Sequence, residues 1–302
     1  MTRRDLLAAS PALAMAAKKP TFELCMHQTT SASAGFRQSV EGYAKAGFHM
    51  VEVLPVKVAE YAKVEGMAGT KRLLSDLGMK VVSSSGVRGL AEPSPARPKL
   101  LEELKSTCEL IAGLGADRMV CPCGTTATYT ADDYKRGVEN LREAGDIAKQ
   151  FGLTVMLEFM RGSTFIGTLP TALNTVREAA HPNVKPMLDC YHYWAGLSKF
   201  EDLEMIRTGE LHHVHFQDVA RIPREMLDSR TREIPGDGVS PLAKILRAVA
   251  AKGYTGPLSV ELFYPRFQDG DPFTVAKEIR GKCEAATGRP ARRRGASLVA
   301  GG

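Results

Sequence analysis

The chain has no cysteine pair at zinc-ribbon spacing. Its six cysteines, Cys25, Cys108, Cys121, Cys123, Cys190 and Cys283, are scattered, and this pattern predicts no structural disulfide. Cys121-Pro122-Cys123 reads as buried packing with one exposed thiol, in preference to a ligand or redox pair. Between Phe22 and Gly35 there is no G-x-G-x-x-G turn, which argues against an open dinucleotide-binding sheet. No apolar run is long enough to span a bilayer, so no stable membrane association is expected. The body of the chain also lacks a charge excess. Net charge is +6, but much of it sits at the ends, in Arg3, Arg4, Lys18, Lys19, Arg289 and Arg292 to Arg294. That placement excludes a nucleic-acid groove as the working assumption.

What is present fits one large globular domain: 302 residues, 44% apolar and 25% charged. Residues 1–20 stand apart. Arg3-Arg4 precedes a short apolar stretch that ends in Ala14-Met15-Ala16. This pattern resembles a twin-arginine export signal, with a frayed basic N-terminus as the alternative. A working signal implies a periplasmic or exported protein; otherwise the location is cytoplasmic. Residues 288–302, rich in Gly, Pro and Arg, read as a disordered basic tail.

Residues 21–287 alternate short apolar runs with longer helical patterns. The runs are Phe22–His27, Met50–Leu54, Met79–Ser83, Arg118–Cys121, Thr154–Glu158, Val184–Leu188, Leu211–His215 and Pro257–Glu261. Helices are expected over residues 35–46, 56–77, 100–114, 130–151, 170–180, 200–208, 241–252 and 272–286. Gly47, Gly78, Gly115 and Gly152 serve as stops. Thr130 and Asp133 form a capping pattern, Pro241 sits at a first helical position, and Leu173, Val176 and Ala180 share one helix face. Continuous apolar strands in strict alternation with helices imply a covered parallel sheet. Eight units in about 270 residues point to an α/β, single-domain (β/α)8 TIM barrel.

Four of the runs end in residues that suit a divalent metal: Glu158, Asp189, His215 and Glu261. Three carboxylates and an imidazole form a mixed oxygen and nitrogen set for one ion among Mn, Mg, Co and Zn. Strand C-termini are where barrels place their active sites. His192 lies three residues after Asp189, and Arg232 lies beside Pro235-Gly236-Asp237-Gly238. Both are candidates for gripping a substrate oxygen. Glu52 and His27 also close strands and are candidate substrate contacts or supports. His213 shares the face of His215 and is expected deeper in the barrel. Trp194 and Phe263 are candidate pocket walls.

With these residues in place, the chain resembles the xylose isomerase-like TIM-barrel superfamily, in its sugar phosphate isomerase/epimerase branch. The resemblance covers roughly residues 22–284. It rests on Glu158 in Leu-Glu-Phe, Asp189-x-x-His192, His215 in His-Val-His-Phe-Gln-Asp, Arg232-x-x-Pro-Gly-x-Gly238 and Glu261 in Ser-Val-Glu-Leu. It implies one divalent cation held by Glu158, Asp189, His215 and Glu261, with His192 and Arg232 on substrate oxygens. It also departs from the endonuclease branch, because the third and fourth runs end in Ser83-Ser84-Ser85 and Cys121-Pro122-Cys123. The segment between His215 and Pro235 is longer than in ketose 3-epimerases. It is similar to a loop in dehydratases that act on dehydroshikimate and keto-inositol.

The expected chemistry follows from the donor set. A divalent ion polarises a carbonyl and stabilises an enediolate, while Glu158 and Glu261, on different strands, remove and return the α-proton. The leading expectation is a metal-dependent isomerase or epimerase of a keto or aldo sugar. The alternative is a dehydratase or lyase on a keto-cyclitol, a dehydroshikimate-like acid or a keto-glycoside. A non-catalytic sugar-binding barrel is the reading from another class. The expected partner is a small carbohydrate or cyclitol, with oligomeric state left open, a homo-oligomer included.

Overall fold

The computed structural model describes residues 22–287. The expected export signal and basic tail lie outside the described residues. In chain order the first half contains β1 (Glu23–His27), α1 (Phe36–Lys45), β2 (Met50–Val53), α2 (Pro55–Asp76), β3 (Lys80–Ser84), α3 (Arg97–Ala112), β4 (Arg118–Cys123) and α4 (Ala131–Gln150). The second half contains β5 (Thr154–Phe159), α5 (Leu169–Ala179), β6 (Val184–Pro186), β7 (Leu188–Asp189), α6 (Cys190–Ala195), β8 (Val214–His215), β9 (Asp218–Val219), β10 (Arg232–Glu233), α7 (Leu242–Ala251), β11 (Pro257–Val260), α8 (Pro265–Gln268) and α9 (Pro272–Ala286).

The strands pair in parallel in the order β3-β2-β1-β11-β8-β7, and β4-β5-β6 continue the series. Two junctions join these groups. Ser85, just past β3, bridges in parallel to Val120 of β4. Between β6 and β7, Met187 keeps one run going, its amide donating to Leu157 O at 3.3 Å. The result is the expected TIM barrel. All four residues of β11 are buried, as a parallel strand covered on both faces requires. The layer between strands and helices is apolar, with Leu104, Ile111, Leu141, Leu173, Ile245 and Ile279 fully buried in one cluster. Each such side chain contributes about 1.5–3 kcal/mol by leaving water.

Local signals explain most element ends. Thr130 and Asp133 form the capping box that starts α4. Five expectations are corrected. The helix over residues 56–77 is broken at Gly66, whose backbone (φ 72°, ψ 164°) is readily open only to glycine. α5 stops at Ala179, and Ala180 adopts a left-handed φ of 50° outside the core, so it does not share the Leu173–Val176 face. The segment after Phe200 is a short 3-10 turn, Phe200–Met205, and Pro241 caps α7 instead of opening it. Cys121 and Cys123 are both buried, so neither thiol is exposed; all six cysteines are free and buried. Among the described residues, no helix is long and apolar enough to cross a membrane.

Candidate metal centre and active site

Glu158 is the penultimate residue of β5, Asp189 closes β7, His215 closes β8 and Glu261 follows β11. Parallel pairing sets Asp189 beside His215, and His215 beside Ser259, two residues before Glu261. One ligand atom from each of the four lies within 4.8 Å of the others, and all four residues are buried. His215 Nδ1 is the hub, 3.2 Å from Glu158 Oε1 and 3.5 Å from both Asp189 Oδ2 and Glu261 Oε2. Three buried acids so close together are costly without a cation. Burial, together with the Asp189 and Glu261 charges, pushes the Glu158 carboxyl up to about 7 against the pull of His215. Burial also raises Asp189, but Arg232 and His192 outweigh it and hold this carboxyl well below the usual range.

A carboxylate layer supports the hub from behind. Glu52, fully buried, accepts from His213 Nε2 at 2.9 Å and from His215 Nε2 at 3.2 Å. Burial opposes its ionisation, yet His215, His27 and His213 hold it well below the usual carboxylate range. Burial opposes a charge on His215, but Glu52 and Glu261 hold its imidazole well above the usual range, so without a cation both ring nitrogens carry protons. A bound ion would replace the proton on Nδ1 and leave Nε2–H on Glu52. His27 is also fully buried. Its Nδ1 accepts the Thr29 amide at 3.1 Å, and its Nε2 lies 3.2 Å from Ser85 Oγ and 3.5 Å from Glu261 Oε1.

The opposite side presents donors. Arg232 comes from β10, which pairs antiparallel with β9. Its Nη1 donates to Glu261 Oε2 at 2.6 Å and Asp189 Oδ2 at 3.0 Å. The guanidinium lies between the rings of Tyr191 and Phe263, 4.6 and 4.8 Å from their centroids. His192 Nδ1 accepts the Arg161 amide at 3.1 Å, and its Nε2 faces Arg232 Nη2 at 3.2 Å. Burial lowers His192 to about 4, so its ring is neutral near pH 7. Trp194 packs with Tyr191, Ala195, Val219 and Leu227, tying α6 to the β9–β10 ribbon.

The structure brings the four acid and histidine ligand candidates together with His192, Arg232, Glu52, His27 and His213, nine residues in all, to one end of the barrel. Three further residues contribute. Gln217 donates to Asp189 Oδ2 at 2.6 Å. Arg161 fixes His192 through its amide, and its side chain donates to Ala195 O at 3.0 Å. Asp218 accepts from the amides of Val219, Gly236 and Ser240, holding the loop that delivers Arg232. The signal for Gln217 and Asp218 was their place directly after His215.

The profile for the xylose isomerase-like TIM barrel matches residues 40–283. The chain is 28% identical to an inosose isomerase of Halalkalibacterium halodurans over 81% of this chain and 89% of the relative. It is 26% identical to a D-psicose 3-epimerase of Agrobacterium fabrum over 76% and 80%, respectively. A 3-dehydroshikimate dehydratase of Pseudomonas putida is 26% identical over 80% of this chain, which spans only 38% of that longer protein. Among solved structures, the IOLI protein with a bound zinc atom superposes with a TM-score of 0.83 at 22% identity, covering 88% of this chain and 98% of that one. The chain belongs to the xylose isomerase-like TIM-barrel family.

Proposed function

We propose that this protein is a divalent-metal-dependent isomerase or epimerase acting on a keto or aldo sugar, or on a cyclitol derivative. The observation that carries the reading is the convergence of Glu158, Asp189, His215 and Glu261 at the strand ends. Their donor chemistry fits a hard or borderline ion, Mn, Mg, Co or Zn. The zinc in the IOLI neighbour and the inosose isomerase and D-psicose 3-epimerase relatives support it.

Bound there, the ion supplies a Lewis acid for the substrate carbonyl. The chain's own residues do the rest. Glu158, with its carboxyl poised near neutrality, is matched to taking an α-proton at pH 7. Glu261, which follows a different strand, takes a proton from solvent and delivers it to the resulting enediolate, and Glu158 releases the abstracted proton to solvent, so the cycle balances. His192 and Arg232 place N–H groups where substrate oxygens lie, and Tyr191 and Phe263 keep the guanidinium in register. Glu52 and His213 hold His215 in orientation. A second reading, dehydration, uses the same proton removal followed by loss of a β-hydroxyl; the dehydratase relative supports it.

The test is elemental mass spectrometry of the purified protein and of Asp189→Ala, followed by proton NMR of keto sugars and inososes in heavy water. About one divalent ion per chain, lost in the variant, with deuterium entering the α-position, is the expected result. No ion in either protein, even after incubation with Mn or Zn, removes the basis of the reading. Loss of water from the substrate selects the dehydratase.

A further inference from the structure

We propose that Arg88 is the anion-binding residue of the substrate pocket. The substrate is then a polyhydroxy ketone or cyclic ketone that carries a carboxylate or phosphate away from its reacting carbons. This rests on the reading above for the reacting end and extends it to the other end of the substrate.

Three observations place Arg88. The chain leaving β3 is tied across the end of β4. Ser85 bridges to Val120, a Cβ at Gly86 would overlap Val120 O, and the Gly89 amide donates to Pro122 O at 3.1 Å. Pro122 is the register partner of Glu158, so this loop crosses the barrel next to the proposed base. The Arg88 guanidinium then lies against Gly124 and Met160, its Nη1 3.1 Å from Met160 Sδ. Met160 directly follows β5, two residues past Glu158, where the chain turns away, the Ser163 amide donating to Met160 O at 3.0 Å. Gly124 makes the room, because a Cβ there would overlap Arg88 Nη1.

The guanidinium placed this way has almost nothing to bind. A thioether sulfur is a weak acceptor, the side chain is exposed, and among the described residues Arg88 has no ion pair. Arg161, Arg224 and Arg232, which approach the acids from the β9–β10 side, are engaged. Arg161 donates to Ala195 O, Tyr191 OH and Arg224 O. Arg224 donates to Trp194 O, and Arg232 to Asp189 and Glu261. Glu92, the nearest acid along the loop, is buried; burial raises its carboxyl while the Arg88 charge pulls it down, but the two form no ion pair. A planar fork with unused N–H groups, held at the strand ends beside Gly124 and Met160, matches a carboxylate or phosphate.

The experiment uses the metal-loaded full chain, its Arg88→Gln and Arg88→Lys variants, and matched ligand pairs read by titration calorimetry. The pairs are a neutral inosose with 3-dehydroshikimate, L-sorbose with 5-keto-D-gluconate, and D-fructose with D-fructose 6-phosphate. The expected result is that at least one anionic member binds on the order of 10- to 100-fold tighter than its neutral partner. Arg88→Gln removes that advantage and Arg88→Lys keeps part of it, with melting temperature unchanged in both. Which pair responds separates carboxylate from phosphate. Equal binding within every pair, no binding by any anionic member, or an advantage that survives Arg88→Gln overturns the proposal. Heavy-water exchange on the same panel keeps the two readings apart. Exchange on neutral ketones with Arg88 idle leaves the reaction standing and sinks Arg88. Arg88-dependent binding with no exchange does the reverse.

Discussion

His213 and His215 share one carboxylate oxygen: the Nε2 atoms of both rings lie within hydrogen-bond distance of Glu52 Oε2, at 2.9 and 3.2 Å. The two rings meet edge to face, 5.4 Å apart. Glu52 is therefore the anchor that decides which nitrogen of His215 faces the acid cluster. Replacing Glu52 by Gln is expected to weaken metal binding about 10- to 100-fold while the barrel still folds. Titration calorimetry with Mn or Zn checks this, and unchanged affinity would deny Glu52 that role.

Glu158→Gln separates chemistry from binding. The amide keeps the shape and one oxygen ligand but cannot take a proton. Turnover is expected to fall by about 10²–10⁴-fold or more, with circular dichroism unchanged and metal still detectable. A metal-replete variant with normal α-proton exchange would move the base elsewhere.

Metal uptake is expected to depend on pH through Glu158. Its carboxyl is raised from 4.5 to about 7 in the folded chain, so the folded state holds this proton more tightly than the unfolded state. In the metal-free protein the group favours folding below pH 4.5, and that contribution fades as pH rises through 7. The ion must displace this proton and also the one on His215, which, against burial, Glu52, Glu261, Asp189 and Glu158 hold well above the usual imidazole range. Affinity should therefore climb with pH by up to about tenfold per unit for each proton released and keep rising above 7. Calorimetry between pH 5.5 and 8 in buffers of different ionisation enthalpy counts the protons released; a flat profile would contradict the assignment.

Asp218→Ala tests the delivery of Arg232. Three amides, of Val219, Gly236 and Ser240, lose their acceptor. A stability loss of about 1–3 kcal/mol is expected in urea unfolding, with KM rising more than kcat falls. An unaltered KM would mean that the ribbon holds Arg232 without this acid.

The sequence was legible where one rule governs one element. Apolar runs closed by Glu158 or Asp189 located strands and candidate ligands together, because a buried parallel strand has to be apolar until it reaches the site. It was less legible where tertiary partners decide. Pro186 has no amide to give the ladder, so the sixth run breaks into β6 and β7 around Met187, although it reads as continuous. The Asp218–Glu233 segment reads as a long connection, because two-residue strands carry no periodicity. Ala180 looks like another apolar position on its helix, yet its left-handed backbone ends that helix. Gln217 is marked only by its place two residues after His215, because a buried glutamine beside a carboxylate has no periodicity of its own.

The β9–β10 ribbon leaves the barrel just after His215 and returns before α7, and it brings Arg232 without contributing any of the four converging ligand atoms. It is thus a detachable cassette on a fixed chassis. A graft of this segment would leave the four converging ligand atoms in place, provided that it returns an arginine to Asp189 and Glu261.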